Sequence, residues 1–233
     1  VTIEFKPWPK IARLNRNIIV TEKIDGTNAA VVIVAETFGT SVKEDPNCVA
    51  VILGTDFAED GFPNTEYHVY AQSRTRFITP GKQTDNYGFA AWVEKNAQAL
   101  VELLGEGAHY GEWWGSGIQS GYGLKGGERH FSLFNTGRWA DFDHPWDGTD
   151  LWNDDVPGLG VVPVLYEGPF SEAAIQEALE NLRTHGSLAA RFDRPEGIVV
   201  FHTASRESYK VTLKGDEAPK GPAGHAKDEE RAA

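Results

Sequence analysis

Apolar runs and alternations along the chain predict many strands and few helices. Asn17-Ile18-Ile19-Val20-Thr21 and Ala29-Ala30-Val31-Val32-Ile33-Val34 read as two strands, with Asp25-Gly26 between them as a hairpin signal. Cys48 to Leu53 predicts another strand inside a polar excursion from Glu36 to Glu66, and Tyr67 to Ser73 alternates as the next. From Tyr87 to Leu104 the apolar residues Phe89, Trp92, Val93, Leu100, Val101 and Leu104 recur at helical spacing, which predicts one helix with Gly105 as its stop. Strands are expected at Ala108 to Trp114, His130 to Asn135 and Val161 to Tyr166. A second helix, from Ser171 to His185, has Ser171 as N-cap, Glu172 in its first turn and Gly186 beyond its end. Glu196 to Phe201 and Ser208 to Leu213 read as a closing strand pair. Strands that do not alternate regularly with the two helices predict an α+β fold of mostly antiparallel sheets flanked by helices.

Outside these elements the pattern is weaker. Residues 1–16 mix Phe5, Trp8 and Ile11 with prolines and basic residues, an irregular lead-in. Gly121-Tyr122-Gly123-Leu124-Lys125-Gly126 matches G-x-G-x-x-G, but a strand rather than a helix follows, so it reads as a mobile loop and not a dinucleotide site. The tail from Lys214 to Ala233 has almost no large apolar residue and is expected to be disordered, which places the domain at 1–213 and the tail at 214–233.

At 233 residues and 40% hydrophobic, the chain can bury a sizeable core. Its one cysteine, Cys48, excludes an internal disulfide, and no C-x-x-C or Cys/His spacing points to zinc. No apolar run approaches a membrane span and no basic region precedes an apolar N-terminal segment, so no membrane partner and a cytoplasmic location are expected. A net charge of −12 argues against coating nucleic acid through bulk electrostatics. Any such contact must be local, from Lys6 to Arg16 or around Arg74 and Arg76. The acidic stretch Asp141 to Asp155 reads as a solvated loop.

Candidate chemistry begins with Lys23, which ends an apolar run and is followed at once by Asp25-Gly26. Burial there would disfavour the ammonium form and lower its pKa, a route to a nucleophilic amine; the alternative is a lysine snorkelling from a sheet edge. After it come, in order, Arg74 at a strand end, Glu112 in Tyr-Gly-Glu, Phe134 in Phe-Ser-Leu-Phe, Glu196 in Glu-Gly-Ile-Val-Val and Lys210 in Tyr-Lys. With this order the sequence resembles the covalent nucleotidyltransferases, the superfamily of ATP-dependent DNA ligases, RNA ligases and mRNA capping enzymes. Glu22-Lys23-Ile24-Asp25-Gly26-Thr27-Asn28 most resembles the RNA ligase 2-like family, and the resemblance spans about Asn17 to Leu213.

That resemblance implies an adenylyltransferase domain in which Lys23 attacks the α-phosphate of ATP and holds AMP as a phosphoramidate. It implies that Glu22 helps read adenine, that Asn28 serves the later sealing step and that Arg74 grips phosphate. Glu112 would accept hydrogen bonds from ribose hydroxyls, and Phe134 would stack on adenine, a contact worth about 1–3 kcal/mol. Glu196 would hold a divalent metal, Mg2+ or Mn2+, and Lys210 would neutralise charge on the α-phosphate. Two departures stand out: Asn135 follows the aromatic where the family often has aspartate, and the second lysine of the last motif is replaced by Thr212, with Lys214 the next lysine and its substitution for that residue an open question. The C-terminal domain common among relatives is not evident. A minimal enzyme, an isolated domain and a partner that supplies the missing part are all compatible with that, and the absence of an OB-fold disfavours the DNA ligase and capping readings. The implied function is ATP-dependent joining of RNA 3′-hydroxyl and 5′-phosphate ends or of nicked duplex. The alternatives are a DNA or nick-sealing ligase, a GTP-using capping enzyme, and an inactive nucleotide- or RNA-binding module.

Overall fold

Strand pairing sorts the strands into two sheets joined by a short crossing. The computed structural model describes residues 3–8, 10–39, 45–58, 61–139 and 155–213. The acidic stretch, apart from Asp155, and the whole tail, Lys214 included, lie outside them.

The smaller sheet is antiparallel throughout. Its order is β11 (Glu207–Thr212), β10 (Gly197–His202), β1 (Asn17–Lys23), β9 (Val164–Pro169). The larger runs β3 (Cys48–Leu53), β4 (Thr65–Ser73), β2 (Thr27–Thr37), β6 (Gly107–Gly115), β7 (Arg129–Leu133), β8 (Leu159–Val161), with β5 (Phe77–Ile78) paired to β4. Among the described residues only β7 and β8 pair in parallel. The expected α+β fold of mostly antiparallel sheets is what forms.

Alternation explains which faces are covered. On β2 and β4, Val31, Ile33, Val69 and Ala71 point to one side and meet Phe89, Val93 and Leu100 of α1 (Phe89–Lys95) and α2 (Ala97–Leu104) in the main core. On the smaller sheet, Ile18, Val20, Ile198 and Val200 pack against Ala178, Leu179 and Leu182 of α3 (Glu172–His185). The caps of α3 are those the sequence predicts: Ser171 Oγ accepts from the Ala174 N–H at 3.2 Å, and Gly186 takes φ 84° past the last turn.

Four expectations are corrected. Asp25-Gly26 is not a hairpin turn, because β1 and β2 belong to different sheets. Gly26 does not adopt the positive φ that such a turn requires; it is glycine because a Cβ there would lie 2.5 Å from the Trp113 carbonyl oxygen and 2.8 Å from the Trp114 Cβ. The single helix from Tyr87 to Leu104 is two, broken at Asn96, whose side-chain amide donates to the Trp92 carbonyl at 2.7 Å in competition with the backbone ladder. The strand predicted over Val161 to Tyr166 is split at Pro163, which has no N–H to give a ladder. The Pro163 carbonyl instead accepts from the Glu22 N–H at 2.9 Å, so the chain passes from β8 in one sheet to β9 in the other. The glycine-rich segment is not a mobile loop: Tyr122 within it is 1% exposed.

Because backbone and Cβ atoms surround Gly26, Gly26→Ala is expected to destabilise the protein by about 1–3 kcal/mol, read as a lowered urea midpoint with unchanged m-value.

Candidate active site

Period-two alternation along β1 separates two roles. Ile18, Val20 and Glu22 are buried, while Ile19, Thr21 and Lys23 are half-buried and line a cleft of about 720 Å³ between the two sheets, which Glu22 also borders. Val199, Phe201 and Ser208 line the same cleft from the smaller sheet, and Glu112, Phe134 and Arg138 line it from the other side.

Lys23 is the last residue of β1. Its Nζ lies 2.5 Å from Glu196 Oε2, and both side chains are 24% exposed. The lysine is therefore not the desolvated, isolated amine the sequence suggests: it is ion-paired to a carboxylate that water reaches. Tyr122 fixes the backbone of both partners. Its hydroxyl donates to the Lys23 carbonyl at 3.2 Å and accepts from the Glu196 N–H at 3.4 Å. The ring stacks on Phe192 with centroids 4.7 Å apart, and burial pushes the phenol pKa up, so the hydroxyl keeps its proton. Sequence reasoning missed Tyr122. The one signal for it is a large aromatic between two glycines in an otherwise polar loop.

Glu112 sits on β6 directly opposite Asn28 on β2. Its Oε1 accepts from the Gly26 N–H at 3.1 Å and its Oε2 from the Asn28 side-chain amide at 3.0 Å. Asn28 thus orients a carboxylate. Burial pushes the Glu112 pKa up to about 7; the Lys23 charge and the Gly26 N–H pull the other way but only in part.

Glu22 is 1% exposed. Its Oε2 accepts from the N–H groups of Leu188 at 2.8 Å and Ala189 at 3.2 Å, whereas Oε1 makes no hydrogen bond. Burial raises its pKa, opposed by these amides and by the nearby Ser187 and Tyr122 hydroxyls. Phe134 lies just past β7, is held by its N–H to the Tyr110 carbonyl at 2.9 Å, and presents a ring 43% exposed to the cleft. Asn135 uses Oδ1 to accept from the Arg138 N–H at 3.1 Å, which an aspartate oxygen would do equally. Arg138, also missed from sequence, donates to the Leu104 carbonyl at 2.9 Å and lies 4.7 Å over the Trp139 ring. It puts a fixed positive charge in the cleft wall.

Lys23, Glu22, Asn28, Glu112 and Phe134 therefore meet at one cleft, with Glu196 reaching Lys23. Lys210 is exposed on β11 and pairs with Val199, so it stands on the cleft side of the sheet, two residues beyond Ser208. Arg74 is exposed one residue past the Ala29–Ser73 pair, at the sheet end where Asn28 emerges, and does not line the cleft. Lys214 lies outside the described residues.

The chain belongs to the RNA ligase family, whose profile matches residues 16–214. Solved structures similar to it include an apo Naegleria gruberi RNA ligase variant, at 18% identity and TM-score 0.48 over 85% of this chain and 50% of that one. A variant of the Naegleria gruberi RNA ligase with ATP and Mn gives 17%, 0.48, 85% and 49%, and one with AMP and Mn gives 17%, 0.48, 85% and 50%. This chain spans about half the length of those ligases. Among curated proteins none matches. No helix among the described residues is long and apolar enough to cross a membrane.

A carboxyl whose folded pKa is raised binds its proton more tightly when folded, so this stabilisation is full below the ordinary value of 4.5 and is lost as pH rises through about 7. For Glu112 the shift corresponds to about 3 kcal/mol. Unfolding midpoints of the wild type should therefore decrease between pH 4.5 and 7.5, and Glu112→Gln should flatten that slope in part, leaving the contribution of Glu22, whose pKa is raised as well.

Proposed function

We propose that this chain carries out the adenylylation chemistry of an ATP-dependent RNA ligase. The carrying observation is Lys23, at the end of β1, paired with Glu196 and lining a cleft that also presents Glu112 and Phe134. In this reading Lys23 Nζ attacks the α-phosphorus of ATP; an N–P bond forms, the P–O bond to the β-phosphate breaks, and pyrophosphate leaves. Lys23 must first give up a proton, and Glu196 Oε2 at 2.5 Å is the nearest acceptor. Phe134 offers its exposed face to adenine, the unbonded Glu22 Oε1 suits an amino donor, and Glu112 with its oxygens fixed by Gly26 and Asn28 accepts from the ribose. Glu196 is a hard oxygen donor open to solvent beside the lysine and fits a Mg2+ or Mn2+ ion, which would neutralise phosphate charge as it builds. Lys210 and Arg138 supply further positive charge, and Arg74 stands ready at the rim for the phosphate of an incoming end. AMP would then pass to a 5′-phosphate, and attack by an RNA 3′-hydroxyl, at free ends or in a nicked duplex, would release it.

Incubation with α-labelled ATP and Mg2+ followed by denaturing electrophoresis should label the wild type and leave Lys23→Ala unlabelled. Absence of label in both, with no AMP already on the purified protein, overturns the reading. A 3′-hydroxyl RNA strand should be sealed in preference to a DNA strand at the same nick; the reverse preference would make the chain a DNA ligase.

Loss of the Phe134 ring should act on nucleotide binding. Phe134→Ala is expected to raise the KM for ATP in self-adenylylation roughly tenfold, in keeping with about 1–3 kcal/mol for a base stack.

A further inference from the structure

On the face of the larger sheet turned away from α1 and α2, a second group of ligating side chains converges. Glu36 on β2 lies directly opposite Glu66 on β4. His68 follows Glu66 by two residues, so all three project from the same face. One ligand atom from each lies within 4.8 Å of the others. His68 Nε2 is 3.2 Å from Glu66 Oε1 and 3.9 Å from Glu36 Oε2. Glu66 is 7% exposed, so the cluster lies partly within the sheet face.

The imidazole is held from its other side. Cys48 on β3 gives its thiol hydrogen to the Ala50 carbonyl at 3.1 Å, and its sulfur lies 3.9 Å from His68 Nδ1. With Nδ1 turned to that sulfur, Nε2 is the nitrogen that faces the two carboxylates and would ligate a metal once its shared proton is lost.

We propose that Glu36, Glu66 and His68 form a zinc site separate from the adenylylation cleft. One imidazole nitrogen and two carboxylate oxygens are a donor set that Zn2+ takes with water as the fourth ligand, whereas Mg2+ and Ca2+ prefer oxygen alone. Ligand distances of about 2.0–2.2 Å ask only that Glu36, the exposed member, swing inward. Binding replaces the proton shared between Nε2 and the Glu66 carboxylate, which passes to solvent. Glu36 is one residue from the end of β2 and Glu66 one from the start of β4, so the ion would clasp the neck of the excursion over 38–64. The spacing of these residues along the chain gives no zinc motif; the cross-strand register creates it.

The test is titration of the full chain with Zn2+ against a chromophoric chelator, alongside thermal unfolding. One tight Zn2+ per chain and a raised Tm are expected. Glu36→Gln, a near-isosteric change at an exposed position, and His68→Ala should each weaken Zn2+ binding at least tenfold while self-adenylylation with Mg2+ and ATP persists; Glu196→Gln should leave Zn2+ binding intact. No stoichiometric Zn2+, or binding that survives Glu36→Gln and is lost in Glu196→Gln, overturns the proposal.

Discussion

The site depends on a three-residue crossing, Ile24 to Gly26, that carries the chain from the smaller sheet to the larger. Ile24 is buried among Trp114, Tyr122, Val162 and Ala189, residues drawn from both halves of the molecule. Gly26 presses against the backbone of Trp113 and donates its N–H to Glu112. A link this short and this packed leaves no freedom for the sheets to slide past each other. It therefore sets Lys23, the last residue of one sheet, against Glu112 and Asn28 in the other. The cleft is the gap that remains when two sheets are pinned at one point and splay from it.

Three carboxylates stand at or beside the cleft, and their environments differ. Glu22 is enclosed and tied to amides of the 187–190 segment. Glu112 is enclosed and tied to the crossing. Glu196 is the open one and the one in direct contact with Lys23. Only the open carboxylate can exchange its partner without a buried charge being stranded, since an uncompensated buried ion is costly. The arrangement also sets the cleft apart from a chain of net charge −12. Positive charge from Lys23, Arg138 and Lys210 is gathered at the cleft, and the acidic groups within it are hydrogen-bonded or paired.

Much of this was legible in the sequence. The strands were found because their alternation is strong, and α3 because Ser171 and Gly186 are local signals that act where they stand. The motif residues Lys23, Glu112 and Phe134 come to one cleft, with Glu196 in contact with Lys23, because each sits on or beside a strand with a defined face. What the sequence concealed was tertiary. Asp25-Gly26 has the composition of a hairpin turn, and only the partner strands show that its glycine answers to a close approach instead. Asn96 breaks a helix whose apolar spacing continues straight through it. Tyr122 looked like part of a loose glycine-rich loop, yet it is a buried post for the two backbones that carry the ion pair. Arg74 reads as a site residue and stands at the rim, since a residue one step past a strand end is not held by the register.

The Lys23–Glu196 contact joins positions 173 residues apart. β1 is an interior strand, and the neighbours that flank it, β9 and β10, come from the last third of the chain. During synthesis the lysine emerges early, but the sheet that orients it cannot assemble until β10 has followed, and β11 must come later still to close the edge. Closing such distant contacts is slow for a folding chain. The cleft is thus withheld by topology: a nascent or truncated chain lacking those strands carries Lys23 with no site around it.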